Sequence, residues 1–260
     1  MTSGDAHDSQ RLEIATLRAE NDRLIALLES HGIEWRTPQS AVVVARELEP
    51  SKLSTAEKVA LFRRLFRGRT DVYPVRWEGK TSGKSGYAPA CANEWRAGVC
   101  EKPRIKCGDC SNRLLIPMSD AVIYDHLAGK HVVGVYPLLE DDTCYFLAAD
   151  FDEADWRDDA RAFMQSCEEL GVPVALEISR SGNGAHAWVF FASRVAAWDA
   201  RRLGTAIIRH TCSRSRQLKL ESYERLLPNQ DTLLNGGFGY PIALPPQIGP
   251  WAQVFSVYVV

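Results

Sequence analysis

The chain has 260 residues, of which 45% are hydrophobic and 25% charged, and its formal charge is −2. That length suits one large domain or one domain with appendages, and the balance is that of an ordinary globular protein. No apolar stretch approaches the ~18 residues of a membrane span and the N-terminus lacks a signal-peptide core. The expectation is therefore a cytoplasmic protein with no membrane partner, whose seven cysteines are not paired as disulfides.

Residues 1–40 read as an N-terminal helical segment. Ile14, Leu17, Asn21, Leu24 and Leu28 alternate steps of three and four within residues 11–30. This is the seam of a short coiled coil with Asn at an a-type position, a pattern that favours a parallel dimer. The same stripe would serve a helix packed on its own domain. His31-Gly32 ends the segment. Residues 41–66 read as a linker followed by a helix that opens on a capping box, Ser54-Thr-Ala-Glu57. Arg63, Arg64, Arg67 and Arg69 make its end basic, which suits the helix dipole without any function.

From residue 67 to 260 the pattern is mixed α/β. Strands are expected at Asp71–Trp77, Val132–Leu138, Cys144–Phe151, Val174–Ser179 and Ala187–Phe191. Helices are expected at Ser119–Leu127, Trp156–Leu170 and Ala196–Arg209. The last residues, Phe255–Val260, are apolar and β-prone, so the chain either finishes on a strand or is cut short of a continuation. Local charge is uneven: seven Lys/Arg and two acids occupy Arg201–Arg225, whereas acids dominate Glu140–Asp159. An acidic centre beside a basic stretch suits a metal site next to a phosphate-binding surface, though unrelated solvated faces would look the same.

Two motifs imitate phosphate-binding loops and fail. Gly79-Lys-Thr81 and Gly83-Lys-Ser85 lack the glycine required five residues before the second Gly, and Pro74 and Glu78 stand there instead; the segment reads as a polar, mobile loop. Gly182-Asn-Gly184-Ala-His-Ala187 matches a dinucleotide fingerprint but leads into Trp-Val-Phe-Phe, a strand rather than the required helix.

Cys91-x8-Cys100-x6-Cys107-x2-Cys110 is a different matter. Four thiolates within one irregular segment, about residues 88–116, match a closed tetrahedral Zn²⁺ site that is structural rather than catalytic. A redox role for Cys107 and Cys110 is the alternative. Cys144, Cys167 and Cys212 stand alone. The nearby Lys102, Arg104, Lys106 and Arg113 are candidates for contact with nucleic acid or are simply surface.

Asp150 and Asp152 end an apolar run. On a strand both carboxylates lie on one face, where they repel unless a cation lies between them; Mg²⁺ or Mn²⁺ takes such oxygen ligands and leaves room for phosphates. A strand end entering an acidic loop would show the same residues. Ser181-Gly182-Asn-Gly184-Ala-His186 follows. Glycines 182 and 184 let the backbone approach a ligand. Their amides, with Arg180, Ser181 and His186, can grip a triphosphate. Two-metal phosphoryl transfer calls for a further carboxylate, and Glu221, Glu224 and Asp231 are candidates that the sequence barely ranks.

Taken together these strings resemble the primase-polymerase domain of TOTE conflict systems, within the archaeo-eukaryotic primase superfamily. The resemblance runs from about residue 55 to 247. It includes Leu61-Phe-Arg-Arg-Leu-Phe-Arg-Gly-Arg-Thr-Asp-Val-Tyr73, the four cysteines, Gly134-Val-Tyr-Pro-Leu-Leu139, Asp150-Phe-Asp152, Ser179-Arg-Ser-Gly-Asn-Gly-Ala-His186 and Leu227-Pro-Asn-Gln-Asp231. It implies an α+β primase fold with an RRM-like antiparallel core and a second α/β unit, to which the inserted zinc knuckle and the N-terminal helix read above are added. It also implies template-directed nucleotidyl transfer from NTPs or dNTPs on a single-stranded DNA or RNA template. A helicase or nuclease is a possible companion protein. The implied roles are catalytic metal on Asp150, Asp152 and Asp231, and the incoming triphosphate on Arg180, Ser181, Gly182, Gly184 and His186. Glu224 stands where the family often has Asp, and Gly239-Tyr-Pro-Ile-Ala-Leu-Pro-Pro-Gln247 departs from the usual Gly-Asn-Leu-Ile-Ala-Leu-Pro-Leu-Gln. Two other readings remain at this point: a truncated, catalytically impaired zinc-containing nucleic-acid-binding module, and a metal-dependent nuclease.

Overall fold

A computed structural model describes residues 16–17, 19–20, 23–24, 26–28, 30–31, 53–79, 83–152, 156–214 and 223–245, and the backbone of 258–259. The chain divides into two units, residues 1–52 and 53–260. In the first, the described residues from 16 to 30 are helical, and Arg23 pairs with Glu20 at 2.8 Å. Leu17 and Leu24 of the expected seam are exposed; Ile14 and Asn21 lie outside the described residues.

The second unit begins with α1 (Thr55–Leu65). The capping box is formed as expected, Ser54 Oγ accepting from the Glu57 amide and the Glu57 carboxylate accepting from the Ser54 amide. The chain then forms a hairpin of β1 (Pro74–Glu78) and β2 (Ser85–Pro89). β2 was not expected, and the segment read as a polar loop is the hairpin's connection; residues 80–82 lie outside the described residues. A 3₁₀ turn at Cys107–Asp109 and α2 (Asp120–Leu127, capped by Ser119) follow. The strand expected over Val132–Leu138 shrinks to β3 (Gly134–Val135), paired with β8 (Ile242–Ala243).

The remaining elements make the central layer: β4 (Thr143–Asp152), α3 (Trp156–Glu169), β5 (Ala175–Ile178), β6 (Gly184–Ala196), α4 (Ala197–Arg214) and β7 (Tyr223–Leu227). With β9 (Tyr258–Val259) they form an antiparallel sheet in the order β7-β4-β6-β5-β9. This is the β-α-β-β-α-β arrangement shared by ferredoxin-like and RRM-like cores, and the α+β expectation holds. β7 had not been expected, because its five residues carry no clean alternation.

Strand alternation gives the sheet two different faces. Leu147, Ala149 and Phe151 of β4 and Ala185, Ala187 and Val189 of β6 pack under α3 and α4 with Phe163 and Ile207. Phe146, Ala148 and Trp188 point the other way, into a second core with Val59 and Phe62 of α1, Ile123 of α2 and Ile242. Phe66 meets Trp188 edge-on at 4.9 Å between ring centroids, which seats the end of α1 on the sheet. Gly204 of α4 lies against the sheet so closely that a Cβ would fall 2.7 Å from Leu226 and 2.9 Å from Leu147.

Candidate metal and nucleotide site

Beyond Ala148 and Trp188, the same face changes character. The next outward residues along β4 are Asp150 and Asp152; on β6 the next is His186, and on β5 it is Glu177. The register sets Asp150 opposite His186, Asp152 opposite Gly184, and His186 opposite Glu177. A row of side chains that begins as apolar core thus ends as an acidic cluster.

The third carboxylate comes from β7. Between Asp150 and Phe151 the β4–β7 register slips, so that Arg225 faces Asp150 and Tyr223 faces Phe151, with Glu224 as the extra residue. Such a bulge re-aims side chains next to functional sites. Here Tyr223 packs against Phe151 on the helix face, while Glu224 and Arg225 both reach the opposite face. Ligand oxygens of Asp150, Asp152 and Glu224 all lie within 4.8 Å of one another, the one such grouping among the described residues. Asp231, which the resemblance assigned to this role, does not join it: its carboxylate is tied to Arg201 of α4. Glu221 lies outside the described residues. The bulge is why spacing could not rank these acids, since regular alternation from Leu227 sends Glu224 to the wrong face.

His186 is buried. Its Nδ1 lies 3.0 Å from Glu177 Oε2 and its Nε2 lies 3.5 Å from Asp150 Oδ1. The same Glu177 oxygen accepts from Trp188 Nε1 at 3.0 Å. Burial by itself disfavours the imidazolium, but Glu177, then Asp150 and Asp152, outweigh it and move the histidine upward from its ordinary value. Glu177 was missed from sequence. Its one visible signal is a lone acid within an apolar strand, Val174-Ala-Leu-Glu-Ile178.

These groups line a cavity of ≈ 640 Å³ that Arg76, Arg180 and Arg225 also line. Arg76 and Arg180 share Glu78, at 2.9 and 3.0 Å, and together hold its carboxyl below the usual range. Arg225 pairs with Glu224. Ser181 also lines the cavity; its Oγ accepts from the Asn183 amide at 3.1 Å and lies 3.0 Å from Ser179 Oγ. The two glycines serve differently. Gly182 takes φ +76° in the turn between β5 and β6, whereas at Gly184 a Cβ would sit 2.2 Å from Asp152 Oδ1 and 2.6 Å from the Phe151 carbonyl oxygen. The strand after this turn, rather than a helix, agrees with rejection of the dinucleotide fingerprint.

Cys91, Cys100, Cys107 and Cys110 line one small cavity of ≈ 20 Å³. The Leu114 amide donates to Cys91 Sγ at 3.3 Å. No three of the four sulfurs lie within 4.8 Å of one another. Of the nearby cations, Lys102 binds Glu94 at 2.7 Å, Arg104 pairs with Glu101, and Arg113 donates to the carbonyls of Gly108 and Gly236 at 3.0 and 2.8 Å. Each of these three has a partner within the chain. No helix among the described residues is long and apolar enough to cross a membrane.

A family model of the TOTE conflict system archaeo-eukaryotic primase domain matches residues 57–260. The chain belongs to this family. The match reaches thirteen residues beyond Gln247, where the motif resemblance ended, and so takes in β9 at the sheet edge. No curated protein matches the sequence. A primase-type domain of this family carries an expectation of nucleotidyl transfer, and the acidic trio is where divalent metal would be held.

Proposed function

We propose that this primase domain performs template-directed nucleotidyl transfer, joining NTPs or dNTPs on a single-stranded DNA or RNA template. The observation that carries this reading is the three-carboxylate cluster in a cavity that three arginines also line. The all-oxygen donor set of Asp150, Asp152 and Glu224 fits Mg²⁺ or Mn²⁺. Such ions, when bound, lower the pKa of an attacking 3′-hydroxyl and neutralise the leaving pyrophosphate. The chain's own residues supply the rest. His186, aimed by Glu177, presents Nε2 to a phosphate oxygen. Arg180 and Ser181 bind outer phosphates, and Gly184 leaves Asp152 unobstructed. Arg76 and Arg225 balance the charge of a triphosphate.

The four cysteines, converging on one cavity in a segment with little apolar core, fit a structural Zn²⁺ ion by donor chemistry. The N-terminal helix fits a dimer contact. A cytoplasmic setting and a companion helicase or nuclease accord with a conflict-system domain.

The test is to incubate the full chain with a single-stranded template, Mn²⁺ and labelled nucleotides, with and without primer. Extension that vanishes in Asp150→Ala/Asp152→Ala is expected. Template binding without extension would leave a binding module instead, and template shortening would indicate a nuclease.

A further inference from the structure

A second cavity, of ≈ 440 Å³, lies where α1 ends against the sheet. Four arginines line it, Arg63, Arg64, Arg67 and Arg69, with Asp120 as the only acid among the lining residues. Two of the four are neutralised: Arg63 by Asp120 at 2.5 Å, and buried Arg69 by Asp71 and Glu140 at 2.5 and 2.9 Å. The other two are not. Arg64 is exposed and has no ion-pair partner among the described residues. Arg67 lies with its guanidinium carbon 3.9 Å from the centroid of the Tyr145 ring. It makes one long contact, 3.4 Å, to the Phe191 carbonyl, and its buried Nε has no acceptor among the described residues.

Helix-dipole compensation explains basic residues near a helix end, but not this arrangement. Arg67 is spent on the ring of a β4 residue rather than on the last carbonyls of α1. Stacking fixes a guanidinium plane and leaves its edge to bind phosphate bidentately. Leu244 lines both this cavity and the acidic one, so the two adjoin. Tyr145 and Asp150 lie on the same strand, ~17 Å apart at ~3.3 Å per residue. At ~3.4 Å per nucleotide of a stacked strand, that is about five nucleotides.

We infer that Arg64 and Arg67 form a backbone-phosphate site for the nucleic-acid strand, about five nucleotides from the acidic centre. The inference rests on the nucleotidyl-transfer reading for its geometry, but its test does not need catalysis. Binding of a fluorescent 20-nucleotide single strand is measured by anisotropy over a salt series. The proteins compared are the wild-type chain, Arg64→Ala/Arg67→Ala, Arg64→Glu, and Arg161→Ala as a control on the far helix layer. Each is repeated in the Asp150→Ala/Asp152→Ala background. The double variant should bind about tenfold or more weakly. Its log–log salt slope should fall by about 0.7 for each phosphate contact removed. Arg64→Glu, at an exposed position, should weaken binding without lowering the thermal midpoint. Losses no larger than those of Arg161→Ala overturn the site. So does unchanged strand binding accompanied by weaker binding of a fluorescent nucleoside triphosphate, which would assign the arginines to the free nucleotide. A wild-type chain that binds the strand but shows no extension would count against the catalytic reading alone.

Discussion

Removing the buried Glu177 carboxylate tests how the acidic face is built. One oxygen, Oε2, accepts from both His186 Nδ1 and Trp188 Nε1 at 3.0 Å. Glu177 is 4% exposed and Trp188 1%, so water does not readily replace it. In Glu177→Gln the amide oxygen occupies the same place and keeps both bonds as neutral ones. A charge-assisted bond contributes about 1.5–3 kcal/mol and a neutral one about 0.5–1.5. Relief of repulsion with Asp150 and Asp152 offsets part of the loss, so Glu177→Gln should cost about 1 kcal/mol. Glu177→Leu leaves two buried donors unmet, at about 1–3 kcal/mol each. Leucine burial recovers about 1.5 kcal/mol, leaving a net cost of about 0.5–4.5 kcal/mol. Urea unfolding with metal absent measures both variants. Equal midpoints for Gln and Leu would refute the claim that one oxygen holds the two rings. In the polymerase assay Glu177→Gln should raise KM for the nucleotide more than it lowers kcat, because it loosens His186 rather than the metal ligands.

Other outcomes follow from the same geometry. Mn²⁺ at about 100 times its Kd should stabilise the wild-type chain by about 2.7 kcal/mol, a rise of about 5–10 °C in Tm for a unit of this size; Asp150→Ala/Asp152→Ala should show none of it by scanning calorimetry. Glu224→Ala should lose most of that Mn²⁺ shift and about 10²–10³-fold in turnover. Asp231→Ala, which breaks a part-exposed ion pair with Arg201, should cost at most about 1 kcal/mol and keep the Mn²⁺ shift; the reverse pattern would restore Asp231 as the third ligand. Metal analysis should find one zinc per chain, lost in Cys107→Ser with a lowered Tm; wild-type protein free of zinc would reject the four-cysteine site. Burial pushes the Cys144 and Cys167 thiols up to about 12. A thiol reagent at pH 8 should therefore label exposed Cys212 in the folded chain, and these two only after unfolding.

Local patterns were readable from the sequence because their causes are local. The capping box at Ser54, the long strand over Thr143–Asp152 and the helices α2, α3 and α4 each follow from neighbours along the chain. Asp150 and Asp152 share a face because alternation requires it, and Gly182 lies in a turn because φ +76° suits a residue without a side chain. The family motifs were legible for the same reason: they are short strings.

What only the tertiary structure decided are the pairings across strands. β2 and β7 are short and poorly patterned, and each becomes a strand through the partner that it pairs with. Glu177 meets His186 only because β5 lies beside β6 in one register. Glu224, not Asp231, joins the aspartates because a bulge reverses the alternation of β7 at that residue. Sequence supplied the two aspartates and their shared face; the identity of the third acid depended on a slip of a single residue against a neighbouring strand, and no local rule encodes that.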